Sequence, residues 1–158
     1  MELTALPITH RAVIPDEYLD MMGHMNVMWY TQLFSQAAWG LFQLVGLTQS
    51  YFASHQAGSF ALAQHFRYLK EVRLGQHVTL RSRVLGRSAK RWHTIHFMTI
   101  DELDDVLAAT SECVSTHVDM KTRRSSPMLQ PITAAIDRLL AEHSRLAWEA
   151  PICGAMHA

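Results

Sequence analysis

A run of 46 residues, from 21 to 66, contains no Asp, Glu, Lys or Arg in this chain of 158 residues. Within the run, from about residue 27 to 45, apolar side chains recur every three or four residues, which predicts a helix that stops at Gly46. The remaining helical positions carry only uncharged side chains such as Thr31 and Gln36. Because an exposed helix normally presents a charged stripe, we expect this helix to be buried and covered by a sheet.

Strand-like segments on both sides of the predicted helix supply such a sheet. The first, residues 8–14, is rich in β-prone side chains and stops at Pro15. Four longer segments follow the helix, at residues 59–69, 76–87, 91–101 and 106–120. Their short connections predict an antiparallel meander. A surface helix whose first residue is Pro131 closes the predicted order.

Composition limits the class of protein and its partners. The length suits one domain, which we expect to span residues 1–150, with a tail at residues 151–158. A formal net charge of zero gives no field that would hold a nucleic acid. The cysteines, Cys113 and Cys153, have no metal-ligand spacing, which indicates free thiols in a reducing compartment. No signal sequence or bilayer-length apolar segment is present, so we expect a cytoplasmic protein without a membrane partner.

Asp20 is the last charged residue before the uncharged run. A carboxylate beside an apolar interior is costly unless it has a partner, stays near water or performs a function. The pattern that follows is Asp20-x-x-Gly23-His24-x-Asn26-x-x-x-Tyr30, and it leads directly into the predicted helix. The pattern therefore places one carboxylate at the amino-terminal end of a buried element.

This pattern and the order of elements resemble the hotdog-fold acyl-CoA thioesterases, specifically the 4-hydroxybenzoyl-CoA thioesterase-like group. The similarity covers roughly residues 8–127. It implies an α+β fold in which a curled antiparallel sheet of about five strands wraps a long central helix, with a further helix at the carboxyl terminus. It also implies an acyl-CoA substrate, hydrolysis to free acid and CoA without a cofactor, and a homodimer or homotetramer.

The resemblance assigns the central chemical role to Asp20, as a general base or as a nucleophile. The sequence leaves both routes open. Relatives carry an asparagine two positions after the aspartate, where this chain has Met22, so a mechanism that needs a side-chain amide there does not transfer. By the same resemblance, a backbone amide near Gly58 or Ser59 is the candidate donor to the oxyanion.

Two other side chains of the pattern have open roles. His24 could orient Asp20, donate to the substrate carbonyl or hold the loop. Asn26 is a candidate catalytic residue, although its side chain is better suited to capping the first turn of the helix. For Tyr30 we expect core packing, and for Trp29 either packing or a place in the wall of the acyl pocket.

Basic residues concentrate in the second half of the chain, where 11 of the 14 Lys and Arg residues lie between residues 67 and 124. Two groups are candidate ligands for the CoA phosphates. They are Arg87, Lys90 and Arg91 at one turn, and Arg123 and Arg124, beside Lys121, at another. A solvated sheet edge explains each group equally well, and the resemblance requires only one of them to contact CoA.

The histidine spacing does not predict a metal centre. His93 and His96 are three residues apart on a predicted strand, so they point to opposite faces, and His65 and His117 have no partner at ligand spacing. We therefore expect no metal.

Other functions remain open from the sequence. A hotdog-fold hydratase or dehydratase is one alternative, although the predicted helix contains no acidic residue. A non-catalytic acyl-CoA-binding module is another, and it would keep the basic turns without needing Asp20. The acyl group is equally open, because aromatic residues could line an aliphatic, an aromatic or a small cationic pocket.

Overall fold

The computed structural model describes residues 1–158, and its main elements follow the predicted order with two additions. Strand β1 (Ile8–Val13) precedes the long helix α1 (Val27–Leu44) and a short helix α2 (Gln49–His55). The long strands are β2 (Ala57–Tyr68), β3 (His77–Arg87), β4 (Arg91–Ile100) and β5 (Val106–Asp119). The last elements are a two-residue strand β6 (Arg124–Ser125) and helix α3 (Gln130–His143). Each predicted element is confirmed to within two residues at every predicted end. No end was predicted for α3. Helix α2 and strand β6 were not predicted.

The strands form one sheet in the order β1-β3-β4-β5-β2, with β6 paired to β5. Strands β3, β4 and β5 are a meander, but the prediction that β2 belongs to it is wrong, because β2 lies beside β5. The connection from β2 to β3 is a packed segment instead of a tight turn. Val72 within it is fully buried, and its carbonyl oxygen accepts a 2.8 Å hydrogen bond from the Met25 amide. Strands β1 and β2 are therefore the two edges of the main sheet order.

The chain divides into two compact units. The first unit contains residues 1–40, 66–82 and 96–111, and the second contains residues 41–65, 83–95 and 112–158. In the first unit, one face of α1 packs on the sheet through residues at helical spacing. The helix contributes Tyr30, Leu33, Phe34 and Ala37, and the strands contribute Val78, Leu80, Met98 and Ile100. The apolar periodicity of the sequence is thus the contact surface of this core.

Helix α1 also approaches β1 closely in the first unit. A Cβ atom at Gly40 would collide with the carbonyl oxygen of Thr9, so only glycine fits at this contact. The opposite face of α1 is exposed at Thr31, Gln32, Ser35 and Gln36. The expectation of a helix covered on all sides is therefore wrong for the single chain, because the sheet covers one face only.

The second unit has its own core, in which the end of α1 meets helix α3. Leu41 and Val45 pack with Val84 and Trp92 and with three residues of α3, Ile132, Ala135 and Ile136. Pro131 occupies the first turn of α3, as predicted. No helix in the chain has the length and apolar character needed to cross a membrane.

Candidate active site

The loop that carries Asp20 is a tight turn in the first unit. Leu19 and Met25 form an isolated antiparallel bridge across it. Inside this bridge the Asp20 amide donates to the His24 carbonyl oxygen, and the Gly23 amide donates to the Asp20 carbonyl oxygen, both at 3.0 Å. Gly23 has a φ of 80°, which favours glycine. The backbone therefore holds Asp20 and His24 at the base of one turn.

The Asp20 carboxylate is partly exposed, with 25% of its side chain accessible. Its Oδ1 atom accepts a 2.9 Å hydrogen bond from the Met22 amide, and the His24 Nδ1 atom lies 3.9 Å from the same oxygen. The separation from His24 is too long for a hydrogen bond. The Oδ2 atom makes no hydrogen bond within the chain. One oxygen is thus held locally by the backbone, while the other is available for chemistry.

Asn26 caps helix α1. Its Oδ1 atom accepts a 3.0 Å hydrogen bond from the Met28 amide in the first turn, so the predicted capping role is confirmed. The backbone amide of Asn26 donates to the Tyr18 carbonyl oxygen at 2.9 Å. Tyr18 in turn stacks on Trp29 with the ring centroids 3.8 Å apart. These contacts fix the angle at which the Asp20 loop enters the helix.

A cavity of about 270 Å³ opens beside His24 in the first unit. It is lined by His24, Met25, Val27, Tyr30, Tyr68, Leu69, Lys70 and Glu71. The Tyr30 and Tyr68 rings meet edge to face with their centroids 5.1 Å apart, and burial raises the pKa of both phenols. Tyr30 is 4% exposed and belongs to the core, so its predicted packing role is confirmed. The cavity therefore combines two aromatic rings with one carboxylate, Glu71, which is paired with Arg73, and one amine, Lys70.

Gly58 and Ser59 lie in the second unit, near the start of edge strand β2. Consecutive amides of an antiparallel strand alternate between its two sides, so one of these two amides points away from β5. A Cβ atom at Gly58 would come within 2.8 Å of the Met120 Sδ atom, so a larger residue would displace the end of that flexible side chain. The start of β2 thus offers one amide that the neighbouring strand does not bind.

Arg123 is connected to the same part of β2. Its guanidinium carbon lies 5.1 Å from the centroid of the Phe60 ring, and its Nη1 atom lies 3.9 Å from the Met120 Sδ atom. Side-chain contacts therefore join Arg123, through Met120 and Phe60, to the strand that carries Gly58. Arg124, in β6, is exposed.

The other basic group is partly engaged. Arg87 binds both carboxylate oxygens of Asp137 in α3, at 2.6 and 2.5 Å. This pairing raises the pKa of Arg87 and lowers the pKa of Asp137. Lys90 and Arg91 have exposed side chains. In this group, only Lys90 and Arg91 are unpaired cations.

The structure thus brings Asp20, His24 and Asn26 together in the first unit, and Gly58, Ser59 and Arg123 together in the second. Sequence reasoning missed the walls that Tyr68 and Glu71 give to the cavity. The sequence feature that could have indicated them is their position, because Tyr68 and Glu71 follow closely on the uncharged run that ends at residue 66. It also missed the buried Glu112, which contacts His65, His93 and Cys153 in the second unit.

Comparison with known proteins identifies the family. The family model described as the thioesterase-like superfamily matches residues 14–136, which is most of the chain. A Staphylococcus aureus protein solved in complex with CoA has the same fold, with a TM-score of 0.83 and 23% identity over 91% of this chain and 90% of that one. The chain therefore belongs to the thioesterase-like superfamily and has the predicted hotdog fold.

Two curated relatives are more specific. The L-carnitine dehydrogenase/betainyl-CoA thioesterase of Agrobacterium fabrum is 32% identical over 84% of this chain. This chain covers only 27% of that protein, so it spans about a quarter of the two-activity relative's length. The betainyl-CoA thioesterase of Pseudomonas aeruginosa is 29% identical over 87% of this chain and 86% of its own length.

Proposed function

We propose that this chain is an acyl-CoA thioesterase that hydrolyses a coenzyme A ester to the free acid and CoA. The observation that carries the proposal is the Asp20 carboxylate, which has one unbound oxygen and is separated by His24 from an aromatic cavity. A partly exposed carboxylate can reach water, and the cavity can receive a small acyl group. Family membership supports the same reaction class.

Two routes from Asp20 fit the chemistry. As general base, the carboxylate takes a proton from water while the water oxygen bonds to the thioester carbon. The C–S bond then breaks, and the CoA thiolate recovers the proton. As nucleophile, an Asp20 oxygen bonds to the acyl carbon while the C–S bond breaks, which gives a mixed anhydride and the CoA thiolate. Water then opens the anhydride, which releases the free acid, restores the Asp20 carboxylate and supplies the proton that the thiolate takes up. Both routes release one acid and one thiol, and both require an anion at position 20.

Negative charge that collects on the thioester oxygen needs a donor. We assign this role to the amide of Gly58 or Ser59 that points away from β5, because a backbone N–H is fixed before the reaction begins. For His24 we propose a positioning role in the loop, since its imidazole lies 3.9 Å from Asp20. Asn26 contributes as the helix cap that sets the loop.

For the CoA phosphates we propose Arg123 and Arg124. Arg123 contacts Phe60 and Met120, which adjoin the candidate oxyanion donor in β2. The second group, Arg87, Lys90 and Arg91, is less suited because Asp137 already neutralises Arg87. We expect phosphate binding by these exposed guanidinium groups to lower KM and to leave kcat nearly unchanged, as uniform binding of substrate and transition state does.

We further propose that the protein works as a homodimer or homotetramer, as one domain over residues 1–150, in the cytoplasm. Edge strand β2 exposes Phe60 and Leu62, and the outer face of α1 is exposed and uncharged. Exposed apolar side chains and an unpaired strand edge favour burial against a second copy. Both cysteines are free, which suits a reducing compartment.

For the acyl group we propose a small quaternary ammonium, as in betainyl-CoA. The two named relatives act on that ester. In this chain the Tyr30 and Tyr68 rings in the cavity wall support a cationic group, because aromatic faces attract positive charge. The Glu71 carboxylate is already paired with Arg73 and Lys70 lies in the same wall, so the two rings and the named relatives carry this proposal. The small volume of the cavity also favours a short acyl group over a long one.

The test follows thiol release from betainyl-CoA and from 3,3-dimethylbutanoyl-CoA, in which carbon replaces the quaternary nitrogen. The two acyl groups share a shape, but the ammonium beside the carbonyl also withdraws electrons and speeds the uncatalysed hydrolysis. The ratio of kcat/KM values is therefore divided by the ratio of the uncatalysed rates of the same two esters. We expect this corrected ratio to favour betainyl-CoA at least about 10-fold, the size of a partly desolvated cation–π contact. A corrected ratio of one would overturn the cationic acyl group but keep the thioesterase.

A wider panel tests the reaction class itself. It includes benzoyl-CoA, a medium-chain acyl-CoA and crotonyl-CoA, with Asp20→Asn as the control for contaminating thioesterases. If none of the esters releases a thiol, the proposed thioesterase activity is wrong. Loss of the crotonyl double bond without thiol release would indicate a hydratase, and binding of esters without any reaction would indicate an acyl-CoA-binding module.

A further inference from the structure

Glu112 is a buried carboxylate with two histidines but no Lys or Arg beside it. It lies in the middle of β5 and is 1% exposed. Its contacts are the His93 Nε2 atom at 2.8 Å from Oε1, the Cys153 amide at 2.7 Å from Oε2, and the His65 Nδ1 atom at 3.9 Å from Oε2. No Lys or Arg forms an ion pair with it. Because a buried anion is unfavourable without a compensating charge, the position suits a bound cation.

Three different ligand atoms converge at this carboxylate. A ring nitrogen of His65, a carboxylate oxygen of Glu112 and the Sγ atom of Cys153 all lie within 4.8 Å of one another. Nitrogen, oxygen and thiolate sulfur together form a set that Zn²⁺ binds well. In a tetrahedral zinc site, bonds of roughly 2.0–2.3 Å place the ligand atoms roughly 3.3–3.8 Å apart. A closure of about 1 Å would reach that geometry.

The exposure of two of the three residues suits this closure. Cys153 is exposed, and the His65 side chain is 43% exposed, whereas Glu112 is fixed inside the sheet. The two exposed ligands leave an entry path and an open fourth position for water. Three protein ligands with one open position is the ligand count of catalytic zinc sites, so water would be the fourth ligand here.

Charge and the surrounding hydrogen bonds also fit. A Zn²⁺ ion held by one carboxylate and one thiolate makes a neutral group, which lowers the cost of burying Glu112. His93 binds the other oxygen of Glu112 and would orient the carboxylate toward the ion, as residues around metal ligands commonly do. His93 is itself 5% exposed, so this support is rigid.

We propose that His65, Glu112 and Cys153 form a zinc-binding site that fastens the carboxy-terminal segment to strands β2 and β5. This proposal departs from the sequence prediction of no metal. The three ligands lie 47 and 41 residues apart in sequence, and such distances match no short ligand spacing. The site does not depend on thioesterase activity, so either proposal can fail alone.

The test is metal binding by the full chain after removal of bound metal with a chelator. We expect one equivalent of Zn²⁺ to survive competition with a chromophoric chelator of micromolar affinity. Co²⁺ in its place should give the near-ultraviolet band of a thiolate ligand. Zinc should also slow the reaction of Cys153 with a thiol reagent, while Cys113, which is 8% exposed, serves as the internal reference.

Variants separate this site from the other histidines of the chain. Cys153→Ser changes an exposed residue, so it should fold normally, lose the equivalent of Zn²⁺ and lose the Co²⁺ band. Glu112→Gln should also lose the equivalent, and the exposed tail histidine variant His157→Gln should keep it. The proposal would be overturned if the wild type kept no Zn²⁺ against the chelator, or if Cys153→Ser still kept one equivalent.

Discussion

Two carboxylates, Asp20 in the first unit and Glu112 in the second, are held in opposite ways. Asp20 is partly exposed in a turn, with one backbone donor and one unbound oxygen. Glu112 is 1% exposed within a strand, with both oxygens engaged. A reacting group needs access to water and to substrate, whereas a binding group needs rigidity. This difference supports the roles proposed for the two residues, chemistry for Asp20 and metal binding for Glu112.

The same chemical change at both positions gives the sharpest form of this comparison, and Asp20→Asn has the larger expected effect. We expect kcat to fall about 10³-fold, because the amide cannot act as a base or nucleophile. The stability should stay within about 0.5 kcal/mol, because the amide oxygen can still accept from the Met22 amide. Thiol release and urea denaturation measure the two effects. Full activity of the variant would exclude Asp20 as the reacting group.

His96, a buried histidine without a carboxylate partner, extends the comparison to the pH dependence of stability. His96 is 2% exposed, its Nδ1 atom is 2.6 Å from the neutral Ser82 hydroxyl, and burial lowers its pKa to about 4. The unfolded chain takes up a proton below about pH 6.5 while the folded chain does not, so stability falls as pH falls through this window. The loss is about 2 kcal/mol by pH 5 and about 3 kcal/mol by pH 4.

The variant His96→Gln isolates this effect from other acid-sensitive groups. Urea denaturation at pH 7.5 and 5.0 should show a loss of stability about 2 kcal/mol larger in the wild type than in the variant. Equal losses in the two proteins would mean that His96 does not titrate on unfolding.

An effect no larger than that of His96 is expected for Glu112→Gln, the counterpart of Asp20→Asn. The Gln oxygen can accept from the Cys153 amide, while its NH2 group can donate to the His93 Nε2 atom in the other ring tautomer, so the variant exchanges two hydrogen bonds to an anion for weaker neutral ones. We expect a loss of about 2 kcal/mol in the metal-free protein, with kcat unchanged. Urea denaturation and thiol release are again the measurements. A loss of rate without a loss of stability would reverse the roles assigned to the two carboxylates.

Most of the fold could be predicted because its signals are local. The spacing of Leu33, Phe34 and Ala37 predicts the buried face of α1, and β-prone segments predict every long strand. The position of β2 could not be predicted. The segment that joins β2 to β3 is packed instead of being a tight turn, and its hydrogen bond from the Met25 amide to the Val72 carbonyl oxygen joins residues that are distant in sequence. Helix α2 was missed since seven residues carry little periodicity.

The candidate site shows the same contrast between features with local sequence signals and contacts between residues distant in sequence. Asp20, His24 and Asn26 share one turn, so their spacing already indicated a unit, and the cap at Asn26 is confirmed. The pairing of Arg87 with Asp137 spans 50 residues and left no local sign. The roles proposed for Gly58, Ser59, Arg123 and Arg124 remain predictions.

By itself the sequence determined the uncharged helix, the carboxylate before it and the β-rich segments after it, because periodicity and charge act between neighbours along the chain. Only the tertiary structure decided which strand lies beside which, that one face of α1 remains exposed, and that Glu112 meets His65, His93 and Cys153. Such contacts join residues far apart in sequence, and their energies depend on packing that no local pattern records.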